Sequence, residues 1–263
     1  MISFSTIIGV VVGVGLFVMA IDQNTDNFNM FLSSSSLLMV LGGTFAASLI
    51  SFTVQDMVKA IMALLGCLRS SKVSPKTLNK DVARFVEWAR MVRADGVVAV
   101  EKSLSKIEAK DHFISFSVEL LGSGYKKEEM REILEDAREA HYIASTHNAR
   151  IMHVMGAYAP GFGMIGTVIG LIIMLDNMDG DTAALGKGLA LALITTLYGV
   201  LLAQLLFKPA GSFINLKADE EYNRQLLFIE GILMLKDKAD VVAVQDRLNA
   251  FLPPRYRYRL ISE

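Results

Sequence analysis

The clearest pattern along the chain is the alternation of long segments that carry no charged side chain with segments rich in charge. The four uncharged segments are Met1–Ile21, Asn27–Gln55, Ile151–Leu175 and Gly188–Phe207. The hydrocarbon core of a bilayer is about 30 Å thick, and about 20 helical residues cross it. Each segment is long enough to hold one such helix, so the pattern predicts an integral membrane protein with four transmembrane helices.

The segment between the second and third predicted spans has a helical period. Its apolar residues recur every three or four positions, as in Val82, Phe85, Val86, Ala89 and Val92. The end of the chain shows the same period, and neither region has the alternation that is typical of strands. We therefore predict an all-α protein with a helical domain inserted between transmembrane helices 2 and 3 and a helical C-terminal tail.

Basic residues predict the orientation of these helices. Lys and Arg total 26, of which sixteen lie between residues 52 and 150 and nine follow residue 207. Cytoplasmic segments carry the excess of Lys and Arg, so both of these regions and both termini are expected in the cytoplasm. The predicted domains are 1–54 (helices 1 and 2), 55–150 (cytoplasmic insert), 151–207 (helices 3 and 4) and 208–263 (cytoplasmic helices and basic tail).

Composition narrows the classes of function. Hydrophobic residues make up 52% of the chain and the mean hydropathy is +0.42, as expected for a membrane protein. A formal net charge of −1 gives no sign of nucleic-acid binding. We find no nucleophile with a neighbouring base, no phosphate-binding loop and no set of metal ligands. We therefore expect neither an enzyme nor a bound cofactor.

The membrane segments contain polar residues but no acid. A proton relay or ion pump needs an ionisable group at depth, so a partner would have to supply the carboxylate. Pro160 removes one backbone donor and predicts a hinge. Thr167, Thr195 and Thr196 carry hydroxyls that could line an ion path. Threonine in a helix also commonly bonds to its own preceding turn, and that alternative stays open. Pro209 is a second candidate hinge at the exit from the membrane.

Several motifs together resemble one known family. They are Ala159-Pro-Gly-Phe-Gly-Met-Ile-Gly-Thr-Val-Ile-Gly170, Thr195-Thr-Leu-Tyr-Gly199, Lys208-Pro209 and Arg93-Ala-Asp-Gly-Val-Val-Ala-Val-Glu101. The chain is similar in these motifs, in length and in layout to the A subunits of the bacterial flagellar stator, the MotA and PomA proteins. The run that contains Pro160 is shared more loosely with the TolQ and ExbB relatives. Gly161 stands where that family more often has alanine.

The resemblance implies a complex in the bacterial inner membrane that carries Na⁺ or H⁺. Several A subunits, five in the expected arrangement, surround two copies of a B subunit of the MotB or PomB kind, which supplies the membrane aspartate. On this interpretation Pro160 lies beside that aspartate, while Arg93 and Glu101 contact a flagellar rotor protein of the FliG kind. The threonines at 167, 195 and 196 favour transient coordination of Na⁺. The alternatives are an energy-coupling subunit of the TolQ or ExbB kind and a passive membrane scaffold.

Overall fold

The computed structural model describes residues 4–67, 73–104, 111–177 and 182–259, and every regular element in those ranges is helical. The α-helices are α1 Phe4–Asp22, α2 Ser34–Ser51, α3 Val54–Gly66, α4 Pro75–Asp95, α5 Val98–Ser103, α6 His112–Gly122, α7 Lys127–Asp176, α8 Thr182–Leu201, α9 Lys208–Lys236 and α10 Val241–Asn249. A π-helical turn, Leu202–Phe207, joins α8 to α9, and short 3₁₀ turns lie at Phe28–Phe31 and Pro254–Tyr256. The prediction of an all-α fold is confirmed for this part of the chain.

Side-chain caps determine where several helices begin. Ser33 accepts a hydrogen bond from the amide of Ser36 at the start of α2, and Thr53 does the same for Asp56 at the start of α3. These caps divide the second uncharged segment, so α2 is shorter than the segment that contains it. Ser74 caps α4, where Pro75 takes the first helical position.

Within the described ranges, three helices are long and apolar enough to cross a membrane: the stretch Phe28–Ser51, helix α7, and the continuous helix Thr182–Lys236. Ile7–Asp22 in α1 is a shorter apolar helix. Many large apolar side chains on these helices are exposed within the chain, including Val11, Leu38 and Ile172. Exposed apolar faces on long helices are expected when lipid or another subunit, rather than water, surrounds them.

The helices form two compact units. The first contains residues 1–70 and 145–216, and the second contains residues 71–144 and 217–263. In the first unit, side chains from α2, α3, α7 and the π-helical turn share a core that includes Val40, Met57, Met155 and Phe207. The predicted division into the four domains 1–54, 55–150, 151–207 and 208–263 stays a prediction.

The core of the second unit is built on α4. Its predicted apolar face is buried, with Val82 and Phe85 at 0% relative exposure. Phe85 stacks edge-on against Phe228 of α9, with ring centroids 5.0 Å apart. A methyl group at Gly231 would lie 2.5 Å from the Phe85 ring, so this glycine lets the two helices approach closely.

One buried ion-pair network also holds the second unit together. Arg224 of α9 donates to Asp81 of α4 at 2.8 Å and to Asp111, the cap of α6, at 3.2 Å. Asp81 has a side-chain exposure of only 1% and also accepts from Arg84. Burial, the largest single effect, would lower the pKa of Arg224, but the hydrogen bonds to Asp81 and the charges of Asp81, Glu221 and Asp111 together outweigh it and raise the pKa. The guanidinium therefore stays charged and links three helices.

We expect Asp81→Ala to destabilise the second unit by about 3 kcal/mol, because it leaves the largely buried guanidinium group of Arg224 without its nearest acid. Trp88, the single tryptophan, lies in this core, so its fluorescence during denaturant unfolding reports on this unit. The matched control is Asp237→Ala, whose pair with Lys127 is 45% and 40% exposed. The control should cost at most about 1 kcal/mol. Equal losses from the two variants would contradict a structural role for the buried network.

Candidate functional site

Helices α7 and α8 pack together through small residues that leave their backbones in direct contact. A methyl group added at Gly170 would lie 2.6 Å from the backbone oxygen of Gly188 and 2.6 Å from the nitrogen of Ala192. One added at Gly199 would lie 2.7 Å from the backbone oxygen of Ala159. Small residues at such positions are typical of tightly packed membrane helices. We call this α7–α8 contact the glycine seam.

Two hydroxyls meet within the glycine seam. The hydroxyl groups of Thr167 on α7 and Thr196 on α8 form a hydrogen bond with each other. Two backbone oxygens complete the cluster: Thr167 Oγ1 lies 3.1 Å from the oxygen of Gly163 and 3.2 Å from that of Ala192. Both threonines are partly exposed within the chain. Such a group of uncharged oxygens can replace part of the hydration shell of a cation.

Thr195 has a different environment from its neighbour Thr196. Its side chain is fully buried, and its hydroxyl lies 2.9 Å from the backbone oxygen of Leu191 in the preceding turn. A methyl group at Gly166 would lie 2.5 Å from Thr195 Oγ1, so this threonine packs directly against α7. An ion could reach its hydroxyl only if the two helices moved apart. The predicted place of Thr195 in an ion path stays a prediction.

Pro160 lies inside α7 without ending the helix. Because proline has no N–H, the carbonyl of Gly156 loses its usual donor in the helix. A methyl group at Gly156 would lie 2.9 Å from Cγ of Lys208, the residue before Pro209. The turn of α7 that ends at Pro160 thus contacts Lys208, the residue before the second proline predicted to be a hinge.

The segment before Pro209 is a π-helical turn, Leu202–Phe207. There the amide of Lys208 donates to the oxygen of Ala203, five residues earlier instead of the four of an α-helix. π-Helical turns widen a helix locally and occur frequently at functional sites. This turn could not be predicted from Pro209 alone.

Tyr198 holds the loop before α2 and was not predicted to have this role. Its hydroxyl donates to the backbone oxygen of Phe31 at 2.5 Å and accepts from the amide of Ser33 at 3.1 Å. Further along α2, a methyl group at Gly43 would lie 2.1 Å from the Phe162 ring of α7. The motif Thr195–Gly199 signals the importance of Tyr198, but no local pattern indicates its partner.

The two residues predicted to contact a rotor lie in the second unit. Glu101 is exposed on α5. Arg93, in the last turn of α4, forms an ion pair with Asp240, the cap of α10, and the side chains are 50% and 60% exposed. The hydrogen bond from Arg93 is the main cause that lowers the pKa of Asp240. No local pattern predicts this pair, because its members are 147 residues apart in the chain.

The long apolar helices and the glycine seam define a helical membrane protein. In the part of the chain that the structure describes, no three His, Cys, Asp or Glu side chains lie close enough to hold a metal ion. Residues 105–225 match the MotA/TolQ/ExbB proton channel family.

Comparison with whole proteins extends this match to almost the full chain. Motility protein A of Borreliella burgdorferi is 30% identical over 265 residues, which cover 99% of this chain and 98% of that protein. Chemotaxis protein PomA of Vibrio alginolyticus is 29% identical, over 98% of this chain and 99% of its own length. The flagellar MotAB stator complex from Bacillus subtilis contains a chain with a TM-score of 0.85 and 25% identity, which covers 95% of this chain and 96% of its own. The chain belongs to the MotA/TolQ/ExbB family, and the resemblance stated from its motifs is confirmed.

Replacement of Gly170 by alanine should separate α7 from α8, because the new methyl group would overlap backbone atoms that cannot move independently. We expect a cost of about 1–3 kcal/mol, typical of overpacking, measured as a lower melting temperature of the purified protein in detergent. Gly161→Ala is the control on the same helix, since its new methyl group would have no atom within 4 Å beyond its chain neighbours and the backbone of its own helix. A Gly170→Ala protein as stable as the control would contradict the close contact.

Proposed function

We propose that this chain is the A subunit of an ion-driven flagellar stator. The observation that carries the proposal is the oxygen cluster of Thr167 and Thr196 within the glycine seam. Membership of the MotA/TolQ/ExbB family and the names of the relatives, PomA and motility protein A, support the same function.

The cluster implies a partner with a negative charge. All of its oxygens are uncharged, and the four uncharged segments of the sequence contain no Asp or Glu. Neutral oxygens alone compensate poorly for the removal of a cation from water, whereas a nearby carboxylate does so effectively. A single-span B subunit of the MotB or PomB kind supplies this carboxylate as a membrane aspartate, next to Pro160.

The proposed arrangement has four membrane crossings, with α1 as the first and both termini in the cytoplasm. Five A subunits surround two B subunits in the bacterial inner membrane. The exposed apolar faces of α1, α2 and α7 support contacts with lipid and with other subunits. Neutralisation of the aspartate by an incoming cation changes how α7 packs on the B helix, and the hinges at Pro160 and Pro209 pass the movement on.

We propose Na⁺ as the transported ion. A sodium ion needs several oxygen ligands, whereas a proton needs only one acceptor, so the four-oxygen cluster favours sodium. The similarity to PomA, at 29% identity, supports the same choice. Protons are the alternative ion.

Two alternative functions fit the chain less well. An energy-coupling subunit of the TolQ or ExbB kind would typically have three spans, so α1 argues against it. A passive scaffold would not need the oxygen cluster.

When the chain is reconstituted into liposomes with its B subunit, we expect Na⁺ uptake, and we expect none from the chain alone. Thr196→Val should slow the uptake by about tenfold, because it removes one oxygen from the cluster. Uptake is followed with a sodium-sensitive dye after a Na⁺ gradient is applied at constant pH, and K⁺ replaces Na⁺ in the reference sample.

The control is Thr44→Val on α2, a buried threonine whose hydroxyl donates to the backbone oxygen of Val40 in its own helix. It should transport at nearly the wild-type rate. Robust cation flux without the B subunit would disprove the need for a partner's carboxylate. Uptake of protons that is unaffected by Na⁺ would rule out sodium but leave the stator assignment intact.

The proposed contact with the rotor uses Arg93 and Glu101. The Arg93–Asp240 ion pair is half exposed, and such pairs contribute at most about 1 kcal/mol. An acidic group on a rotor can therefore displace Asp240 and take over Arg93 at little cost. Complementary charges of this kind align a contact that forms and breaks rapidly.

We expect Arg93→Glu to abolish swimming while the complex with the B subunit still assembles, because the new carboxylate repels both Asp240 and an acidic rotor surface. Motility in soft agar and co-purification of the two subunits measure these two outcomes. Lys126→Glu, which reverses an exposed charge elsewhere on the same unit, is the matched control and should swim normally. Normal swimming by the Arg93→Glu strain would remove this residue from the rotor contact.

A further inference from the structure

A cavity of about 650 Å³ lies in the first unit, between α1, the end of α3 and the start of α9. Leu64 and Cys67 line one side of it, the π-helical turn and Pro209 line another, and Gly9 of α1 lies at a third. Its volume is in the range of about 300–1,000 Å³ that is usual for ligand pockets. We call this feature the apolar cavity.

Two glycines of α1 show how the apolar cavity arises. A methyl group at Gly13 would lie 3.3 Å from Cδ2 of Leu205, so α1 and the π-helical turn are in contact there. One turn earlier, a methyl group at Gly9 would have no atom within 4 Å beyond its chain neighbours and the backbone of its own helix. Helix α1 therefore contacts the π-helical turn at Gly13 and leaves open space at Gly9.

The lining of the apolar cavity favours a hydrocarbon ligand. Its side chains are hydrocarbon except those of Gln204 and Cys67, and the Cys67 thiol already donates to the backbone oxygen of Ala63 at 3.4 Å. An ordered water needs about two to four polar partners, which this lining does not offer. An empty space would deprive the lining atoms of dispersion contacts. A hydrocarbon ligand restores those contacts without any unpaired polar group.

The mouth of the apolar cavity lies among side chains that face outward from the chain. Val10, Leu65 and Leu205 line the cavity and are 48%, 68% and 40% exposed. Val10 and Leu205 belong to two of the uncharged segments that are long enough to cross a bilayer. Acyl chains of the surrounding lipid can therefore reach the cavity from the side.

The dimensions of the apolar cavity exclude a helix as its occupant. Along the π-helical turn and α9 its lining runs from Gln204 to Phe213, about 13 Å at a rise of 1.5 Å per residue. Over this length the volume corresponds to a passage about 8 Å wide, whereas a helix with its side chains is about 10–12 Å wide. A single hydrocarbon chain is narrower than a helix and fits this passage.

We propose that the apolar cavity binds an acyl chain of a membrane phospholipid. The acyl chain enters beside Val10 and Leu65 and packs against Leu64, Leu206 and Phe213. The gain comes from contacts that replace empty space, because the acyl chain leaves a hydrocarbon environment and enters another. Binding of the lipid does not depend on the proposed stator function. Only a further effect on the hinge at Pro209, which borders the cavity, would rest on that function.

The direct test is photo-crosslinking in liposomes that contain the full chain and a phosphatidylglycerol with a diazirine in one acyl chain. After illumination and proteolysis, mass spectrometry locates the label. We expect label on Cys67 and Ala210, which line the cavity and are only 6% and 5% exposed. Bulk lipid cannot reach such buried side chains, whereas an acyl chain inside the cavity contacts them.

Gly9→Phe should lower the labelling of Cys67 and Ala210 by at least about fivefold, because its ring takes up the space of the acyl chain. Gly15→Phe is the matched control on the same helix. Its new side chain also begins in open space, but Gly15 does not line the cavity, so labelling should stay at the wild-type level. Equal melting temperatures of the two variants show that a loss of label does not come from unfolding.

A second measurement needs no substitution, because Cys67 is the single cysteine of the chain. In detergent, added phosphatidylglycerol should slow the reaction of Cys67 with pyrene maleimide by at least about fivefold, since the acyl chain covers the thiol. The proposal would be overturned by label confined to exposed residues such as Leu65, or by equal labelling of the Gly9→Phe and Gly15→Phe proteins. Protection of Cys67 without any added lipid would also contradict it, because a second protein copy would then cover the cavity.

Discussion

The direct contact between the backbones of α7 and α8 is the constraint on which the candidate site depends. Glycines at positions 163, 170 and 199 let the backbones of the two helices come into contact at those positions. Only at this separation do the hydroxyls of Thr167 and Thr196 reach each other and the backbone oxygens beside them. The packing of the membrane helices and the chemistry of the site therefore have one cause, and a single methyl group in the seam would disturb both.

The site is incomplete within one chain. It offers oxygens but no negative charge, and it lies on helices that carry exposed apolar side chains such as Met164, Ile172 and Leu193. In the proposed function these two features have a common explanation, because a B subunit would cover an apolar face and bring the missing carboxylate. In that proposal, control of ion flow depends on assembly, because the oxygens and the carboxylate come from different chains.

Ion pairs in the second unit differ in exposure, and this difference separates structural from exchangeable contacts. The Asp81–Arg224 pair is buried and links α4 to α9, so loss of one member leaves an uncompensated charge in the interior. The Arg93–Asp240 pair is open to water, where it is weak and easily replaced. Lys80 and Arg90, which have no acidic partner in the described ranges, extend this exposed basic surface along α4. The second unit thus combines a largely buried ion-pair network with exposed, weakly paired charges on its surface.

Local patterns in the sequence predicted the helices, the buried face of α4 and the family. Periodicity is a property of neighbouring residues, so Phe85 and Ala89 could be assigned to the core without knowledge of their contacts. Tertiary structure alone separated Thr195 from Thr196, which are equivalent in the sequence, and it also joined Arg93 to Asp240. The reason is physical. Helical spacing predicts which residues share a face, whereas the rotation of one helix against another depends on contacts between residues far apart in the chain.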